Sequence, residues 1–375
     1  MQNYTPITGR KLRLALVGCG RIAANHFGAI EGHADNIELV DVCDIDPIAL
    51  TSAAERTGAK GHLQIADMLK DTTADLVVLT TPSGLHPQQA IDVAKAGKHV
   101  MTEKPMATRW QDGLRMVKAC DDAGVRLFVV KQNRRNATLQ LLKQAVEHGR
   151  FGRIYNVAMN VFWTRPQDYY DQGNGWRGTW EFDGGAFMNQ ASHYIDLLNW
   201  IVGPVESVMA YTGTQARNIE AEDSGVTAIK WRSGAMGTLN VSMLTYPKNL
   251  EGSITILGEK GTARIGGVAV NEIQEWQFEQ ALPEDEQIKA ASYATTSVYG
   301  FGHPLYYDNV IKTMLPVTAS TSTGNGGWIF QSDLLKEARV TGTQLPIIYD
   351  FLYSWLQTNQ VYDVKTASMV SFNFT

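Results

Sequence analysis

Long apolar runs are missing from this 375-residue chain, and no stretch approaches the ~20 consecutive apolar residues that a membrane helix needs. Cysteine is scarce. Cys19, Cys43 and Cys120 are too few and too scattered for a disulfide framework or a cysteine-rich zinc site. A basic excess is absent too, since 33 Lys and Arg against 38 Asp and Glu leave a net charge of −5. That balance gives no basic stripe of the kind a general nucleic-acid binder carries. It leaves room for a small anionic ligand, whose capture depends on a few local cations and helix ends. The opening MQNYTPITGRKLR has no apolar signal-peptide core, so a reduced, cytoplasmic protein is expected. Disorder is excluded by composition, because 44% of the residues are apolar.

What is present is a two-part pattern, and the length suits two or three domains. LRLALV (12–17), ELVDVC (38–43), DLVVLT (75–80), KHVMT (98–102) and RLFVV (126–130) read as buried strands. Helical stretches follow several of them, among them those opening at Pro47 and Pro87, each with proline in the first turn and glycine just past the end. Strands alternating with helices imply a doubly wound parallel sheet over residues 1–132. From 133 to 315 the pattern changes to a mixed α+β domain on a large, open, mainly antiparallel sheet. There Leu239, Val241 and Met243 alternate with Thr238, Asn240 and Ser242, and SITILGEKGTARI reads as a hairpin turning at 258–261. LPEDEQ (282–287) reads as a solvated loop.

Gly18-Cys19-Gly20-Arg21-Ile22-Ala23 follows the first strand and opens a helix. Gly18 suits a tight turn, Gly20 close approach to a pyrophosphate, Ala23 helix–strand packing, and the helix N-terminus supplies N–H groups to phosphate. The motif alone is weak, and a glycine turn without ligand is its plain alternative. Asp44, 21 residues after Ala23 at the end of the second strand, strengthens it: an acid there accepts the ribose hydroxyls, repels a 2′-phosphate and favours NAD over NADP. Zinc-ligand spacing, a Walker lysine and a Tyr-x-x-x-Lys pair are all missing, so neither metal nor ATP chemistry is indicated and short-chain dehydrogenases are excluded.

Three more segments belong with this motif: Thr81-Pro82-Ser83-Gly84-Leu85-His86, Glu103-Lys104-Pro105, and the helix opened by Gly184-Gly185 that carries Asn189, His193 and Asp196. Together they resemble the glucose–fructose oxidoreductase/inositol dehydrogenase (Gfo/Idh/MocA) family over roughly residues 10–315. The resemblance implies an NAD-binding Rossmann domain with cofactor contacts at Gly18, Cys19, Gly20, Arg21, Ile22, Asp44, Thr81, Pro82, His86, Glu103, Lys104 and Asn133. Read physically, Lys104 ends a strand where open α/β sheets place ligands, so its ammonium suits a developing alkoxide, with its pKa lowered near a cationic nicotinamide. Spacings of four, three and four put Asn189, His193, Asp196 and Trp200 on one helix face, opposite the apolar Phe187, Ala191, Tyr194 and Leu198. His193 is the expected general base. Many family members carry Asp where Asn189 stands; an amide takes no proton, so Asn189 is expected to bind a hydroxyl. For Asp196 a structural and a catalytic role stand side by side.

Arg134, Arg135, Trp163, Arg165, Trp176, Arg177 and Tyr246, with Asn189 and His193, are the expected substrate contacts, and Tyr299-Gly300-Phe301-Gly302-His303-Pro304 completes the set. Guanidinium forks suit a pyrophosphate and a carboxylate, and aromatic faces cover uracil or sugar. These stretches resemble a subgroup of the family that oxidises the C3′ hydroxyl of UDP-N-acetylamino sugar uronic acids for surface polysaccharides and forms homotetramers. Two alternatives remain at this level: an inositol or aldose dehydrogenase on a free polyol, and a non-catalytic NAD-sensing protein. After Val317 the sequence leaves the family's pattern, and 316–375 reads as an atypical tail, frameshifted or disordered.

Overall fold

The structure is a computed structural model and describes residues 7–295, 298, 300 and 302–315; the expected tail of 316–375 lies outside the described residues. The chain divides into two compact units. Among the described residues the first holds 7–132 and 303–315, and the second holds 133–302.

In the first unit, strands β1 (Leu12–Val17), β2 (Ile37–Cys43), β3 (Lys60–His62), β4 (Leu76–Leu79), β5 (His99–Thr102) and β6 (Leu127–Val129) form one sheet in the order β3-β2-β1-β4-β5-β6. Every pairing is parallel. β1 and β4 are near-continuous buried apolar runs, as a sheet covered on both faces requires. The strand order reverses between β1 and β4, so the loops leaving their carboxyl ends open onto the crevice where such sheets hold ligands. The two helices expected at Pro47 and Pro87 are present as Pro47–Thr57, capped by Asp46 through its bond from the Ile48 N–H (2.9 Å), and His86–Lys95.

The contacts of one segment differ from its place in the sequence pattern. Residues 303–315, expected with the second domain, belong to the first unit. The helix Gly302–Met314 places Tyr306, Tyr307, Val310 and Met314 in the core beneath β1 and β4. The Tyr306 hydroxyl donates to the Val129 carbonyl (2.7 Å) and the Ile7 N–H donates to that of Met314 (3.0 Å).

In the second unit, β7 (Ile154–Phe162), β8 (Val205–Gly213), β9 (Ser224–Trp231), β10 (Met236–Ser242), β11 (Glu251–Gly258), β12 (Gly261–Gly266) and β13 (Glu272–Phe278) form a seven-stranded sheet, β13-β12-β11-β7-β10-β9-β8. It is antiparallel except for β7 beside β10, which run parallel. Val157, Met159, Val161, Leu239, Val241, Ile254 and Ile256 point inward against Leu139, Leu142, Phe187, Tyr194 and Leu198. The expected alternation on β10 and the hairpin at 258–261 are as the sequence reads. The loop expected at 282–287 is instead a 3₁₀ turn, Pro283–Gln287. Asp285 organises it, accepting from the Leu282 N–H (2.8 Å), the Trp276 indole (2.7 Å) and the Arg150 guanidinium (2.7 and 2.8 Å), which stacks 4.2 Å from the Phe278 ring. Among the described residues no helix is long and apolar enough to cross a membrane.

Replacing Arg150 with alanine removes a two-pronged charged bond and its ring contact together. The expected loss is about 2–4 kcal/mol of stability in denaturant unfolding; a loss below about 0.5 kcal/mol, the range of an ordinary surface substitution, would contradict this reading of the turn.

Candidate active site

The glycine loop follows β1. Gly18 has φ +96°, and a Cβ there would lie 2.8 Å from the Thr80 carbonyl carbon and the Thr81 nitrogen, so only glycine lets the loops after β1 and β4 touch. Thr80 reinforces the contact, its hydroxyl reaching the Gly18 carbonyl (2.5 Å). Gly20 faces open space, and no side chain caps the start of the helix Ala23–Glu31, where the Ala23 and Asn25 N–H groups turn back onto the carbonyls of Gly20 (3.1 Å) and Ile22 (3.0 Å). Asp44 is set by two backbone amides: Oδ2 accepts from Cys19 (2.6 Å) and Oδ1 from Asp46 (2.8 Å), with lone pairs left for ribose hydroxyls. Ile45 and Ile48, unmarked in the sequence reading, stand 79% and 80% exposed beside it and offer an apolar edge for an adenine ring. Burial pushes the Cys19 thiol up to about 12, so it stays neutral in a loop suited to anions. This donor set fits a dinucleotide.

Lys104 is half-buried, and the chain on both sides of it is clamped. Glu103 is buried, and its Oε1 meets His26 Nε2 (3.0 Å) and His303 Nε2 (3.3 Å), while Oε2 accepts from the Lys104 N–H (3.0 Å). Tyr307 joins His26 Nδ1 at 2.8 Å. Burial holds the Tyr307 hydroxyl well above its ordinary range and His26 below its own, whereas the two histidines hold Glu103 well below the usual carboxylate range against burial. One proton pattern satisfies all of this: Tyr307 donates to a neutral His26, and both histidines donate to a carboxylate. His26, Glu103 and His303 also converge within 4.8 Å, close enough for a metal ion, and the hydrogen bonds account for that convergence. Glu103 and His86, both expected at the cofactor, are held in hydrogen-bond networks that brace the turns after β4 and β5. The His86 ring is buried between the carbonyls of Thr81 (2.9 Å) and Pro105 (3.0 Å). His303, from the stretch expected at the substrate, also belongs to this network, and Tyr299 and Phe301 lie outside the described residues.

The second unit holds the remaining residues. The helix expected from Gly184 is not one regular α-helix. It runs as a π turn (Ala186–Gln190), an α segment (Ser192–Leu197) and a second π turn (Leu198–Val202). The wider turns shift the register at both ends, and residues 192–198 are buried throughout, so the single polar face expected from 3.6-residue spacing is not formed. His193 sits buried in the α segment. Asn189 donates to Asp183 Oδ1, and Asp183 Oδ2 accepts the Gly178 N–H (2.7 Å).

The cationic side chains divide into two pairs. Arg134 forks onto Asp196 at 2.7 and 2.7 Å, over the Trp200 ring, which gives Asp196 a structural role. Arg165 directs Nε and Nη2 to Gln190 Oε1 (3.1 and 2.9 Å) and Nη1 to the Thr164 carbonyl. By contrast, Arg135 and Arg177 each keep a buried Nε with no hydrogen-bond partner among the described residues. Arg177 also bonds the Tyr169 carbonyl (2.7 Å), and its guanidinium lies over the rings of Tyr169 (4.5 Å) and Trp176 (5.3 Å). Trp163, expected against substrate, is a core residue whose indole donates to the Val268 carbonyl (3.2 Å). Tyr246 stands 94% exposed, and Asn133 is buried in the turn Gln132–Arg135. Asp183, Gln190 and Tyr169 were missed, because hydrogen bonds between distant segments leave no periodic trace.

A Rossmann sheet with an open glycine loop, an oriented Asp44 and a clamped Glu103-Lys104-Pro105 turn defines an NAD-binding oxidoreductase. Comparison with known proteins agrees: the oxidoreductase family's NAD-binding Rossmann fold matches residues 12–131 and its C-terminal alpha/beta domain matches 143–323, so the chain belongs to the Gfo/Idh/MocA oxidoreductase family. The WlbA dehydrogenase of Chromobacterium violaceum, solved with NADH and UDP-GlcNAcA, is 62% identical over 100% of both chains, with a TM-score of 0.85. That of Bordetella pertussis, solved with the same two ligands, is 70% identical over 82% of this chain and 89% of its own, with a TM-score of 0.80. A myo-inositol 2-dehydrogenase of Thermotoga maritima is 27% identical over 67% of this chain and 74% of its own.

Two outcomes follow from the first unit. NAD⁺ should bind at least tenfold more tightly than NADP⁺, roughly 1.4 kcal/mol, because a 2′-phosphate meets the Asp44 carboxylate; equal affinities in titration calorimetry would contradict that placement. His26 and Glu103 both have folded pKa values below their unfolded ones, so their stabilising contribution is present at neutral pH. It is lost as pH falls, first below about 6.5 for His26 and then below about 4.5 for Glu103. Thermal midpoints of wild type should therefore drop on acidification from pH 7.5 to 5 more steeply than those of His26→Gln. Parallel slopes would contradict it.

Proposed function

We propose that the chain is an NAD⁺-dependent dehydrogenase oxidising the C3′ hydroxyl of a UDP-N-acetylamino sugar uronic acid, UDP-GlcNAcA, to the 3-keto sugar. The proposed setting is the cytoplasm and the synthesis of surface polysaccharide such as lipopolysaccharide O-antigen. The observation that carries the reading is 62% identity over the whole of both chains with a protein solved holding NADH and that sugar nucleotide. Arg135 and Arg177 support it chemically, since guanidinium N–H groups buried without a partner suit an anionic ligand, whose charge-assisted bonds are stronger than those a neutral polyol hydroxyl accepts.

Bound at the glycine loop, NAD⁺ supplies the hydride acceptor. His193 takes the hydroxyl proton as the C3′–H bond gives up its electron pair, and Lys104 orients the hydroxyl and offsets the alkoxide charge that develops. Asn189 binds a sugar hydroxyl with its amide, steadied by Asp183. A homotetramer is proposed as well. Met209, Tyr211, Val226, Met236 and Leu257 are exposed on the outer face of the seven-stranded sheet, an apolar set suited to covering by another copy.

The deciding assay mixes purified protein with NAD⁺ and a panel of UDP-sugars and free polyols and follows reduced nicotinamide. Turnover of UDP-GlcNAcA well above myo-inositol is expected; turnover of polyols alone would replace the reading with the inositol-dehydrogenase one. His193→Asn should lower kcat by roughly 10²–10⁴-fold with NAD⁺ binding retained, and Lys104→Met at least as much. Asn189→Ala should act mainly on KM. In kcat/KM, Arg135→Ala and Arg177→Ala should each cost about 1.5–3 kcal/mol. If neither changes the kinetics, the anionic-substrate argument loses its support.

A further inference from the structure

The segment carrying Asn189 and His193 starts against a carboxyl that the reaction does not use. Glu222 is 3% exposed. Its Oε1 accepts the Phe187 N–H (2.8 Å) and its backbone carbonyl accepts the Ala186 N–H (2.9 Å), so one residue holds the first two amides of the π turn. Its Oε2 is buried with no hydrogen-bond partner among the described residues. Gly185, at φ +79° and ψ −166°, packs directly on that oxygen, and a Cβ there would lie 2.3 Å away. Beside it Gly184, at φ +86°, leaves room for Met188, 2.6 Å from its own notional Cβ. The Gly184-Gly185 pair therefore admits a carboxyl as well as making a turn.

The charged groups facing Glu222 are Asp183 and Asp223. Asp223 accepts from the amides of Gln215, Ala216 and Arg217, and Asp183 from Gly178 and Asn189, an acceptor pattern that suits carboxylates. A third negative charge here, with one oxygen lacking a donor among the described residues, would be buried beside two others. Burial, followed by the two aspartates, accordingly pushes Glu222 up to about 8.

We infer that Glu222 is a positioning residue for the reaction proposed above, its uncharged carboxyl fixing the onset of residues 186–197 and with it Asn189 and His193. The inference rests on that reading for which groups react. Ionisation sets a charge against Asp183, which also holds Asn189, and so displaces the segment at the point where its register is established.

The test compares wild type with Glu222→Gln, which keeps the shape of the protonated carboxyl and cannot ionise. Thermal midpoints are recorded from pH 4 to 10. Because the folded pKa is raised, the stability tied to this group is whole below about pH 4.5 and is lost as pH rises through about 8. The midpoint of Glu222→Gln should therefore gain on wild type from about pH 5 to 8 and keep a constant lead above that. In kinetics, wild-type kcat should fall roughly tenfold or more above pH 8 with KM within about twofold, and Glu222→Gln should hold its plateau there. The kinetic arm uses whichever sugar in the panel is turned over, so failure of the nucleotide-sugar reading leaves it intact. A pH-independent midpoint difference overturns the uncharged carboxyl, and matching alkaline limbs in the two proteins overturn the positioning role. Should Glu222→Gln not fold, Asp223→Asn serves instead: removing a charge that raises the Glu222 pKa should move the wild-type alkaline limb to lower pH, and an unmoved limb overturns the inference.

Discussion

A carboxylate taken out of water must find donors on every side, and Glu103 is where the first unit meets that demand. Its donors come from three separate places: the helix that follows the glycine loop, the amide of the neighbouring Lys104, and a helix reached 200 residues later. Each is thereby fixed relative to the end of β5. The requirement is strict, because a single lost donor leaves a buried charge exposed to an apolar core. The Lys104 backbone is steadied by this arrangement, since its amide donates to a buried carboxylate that two histidines also hold. His86 closes the other side by bridging the carbonyls of Thr81 and Pro105, so the turns after β4 and β5 are tied together.

The second unit solves a different problem. Its open sheet is apolar on one side, and the segment 186–202 fills that side with Phe187, Tyr194, Leu198 and Ile201 while also presenting Asn189 and His193. Two π turns change the register of this stretch, which gives neighbouring side chains different surroundings. Arg134 on Asp196 and Arg165 on Gln190 then brace the segment from outside.

Much of this was legible in the sequence wherever a local rule operates. The buried strands, the two proline-led helices, the glycine loop and Asp44 depend on neighbours a few residues apart, and all stand where those rules put them. Long-range pairing was not legible. Nothing near Glu103 announces His303, nothing near Arg134 announces Asp196, and Trp163 looked like a ligand platform because an indole in a strand reads the same whether it meets sugar or core. The even helix face expected from 189 to 200 failed for a related reason: the 3.6-residue period is an assumption, and the two π turns depart from it.

The return of residues 303–315 to the first unit has a consequence during synthesis. Tyr306, Tyr307, Val310 and Met314 complete an apolar core whose other members have all left the ribosome about 170 residues earlier. At roughly 5–20 residues per second, the nascent nucleotide-binding half waits on the order of ten to thirty seconds with that patch uncovered and with the Glu103 carboxylate lacking one donor. Among the described residues the second unit is one continuous stretch, 133–302, which emerges before the helix that completes the first unit's core. Among the described residues, the half that emerges first is therefore the one whose core is closed last.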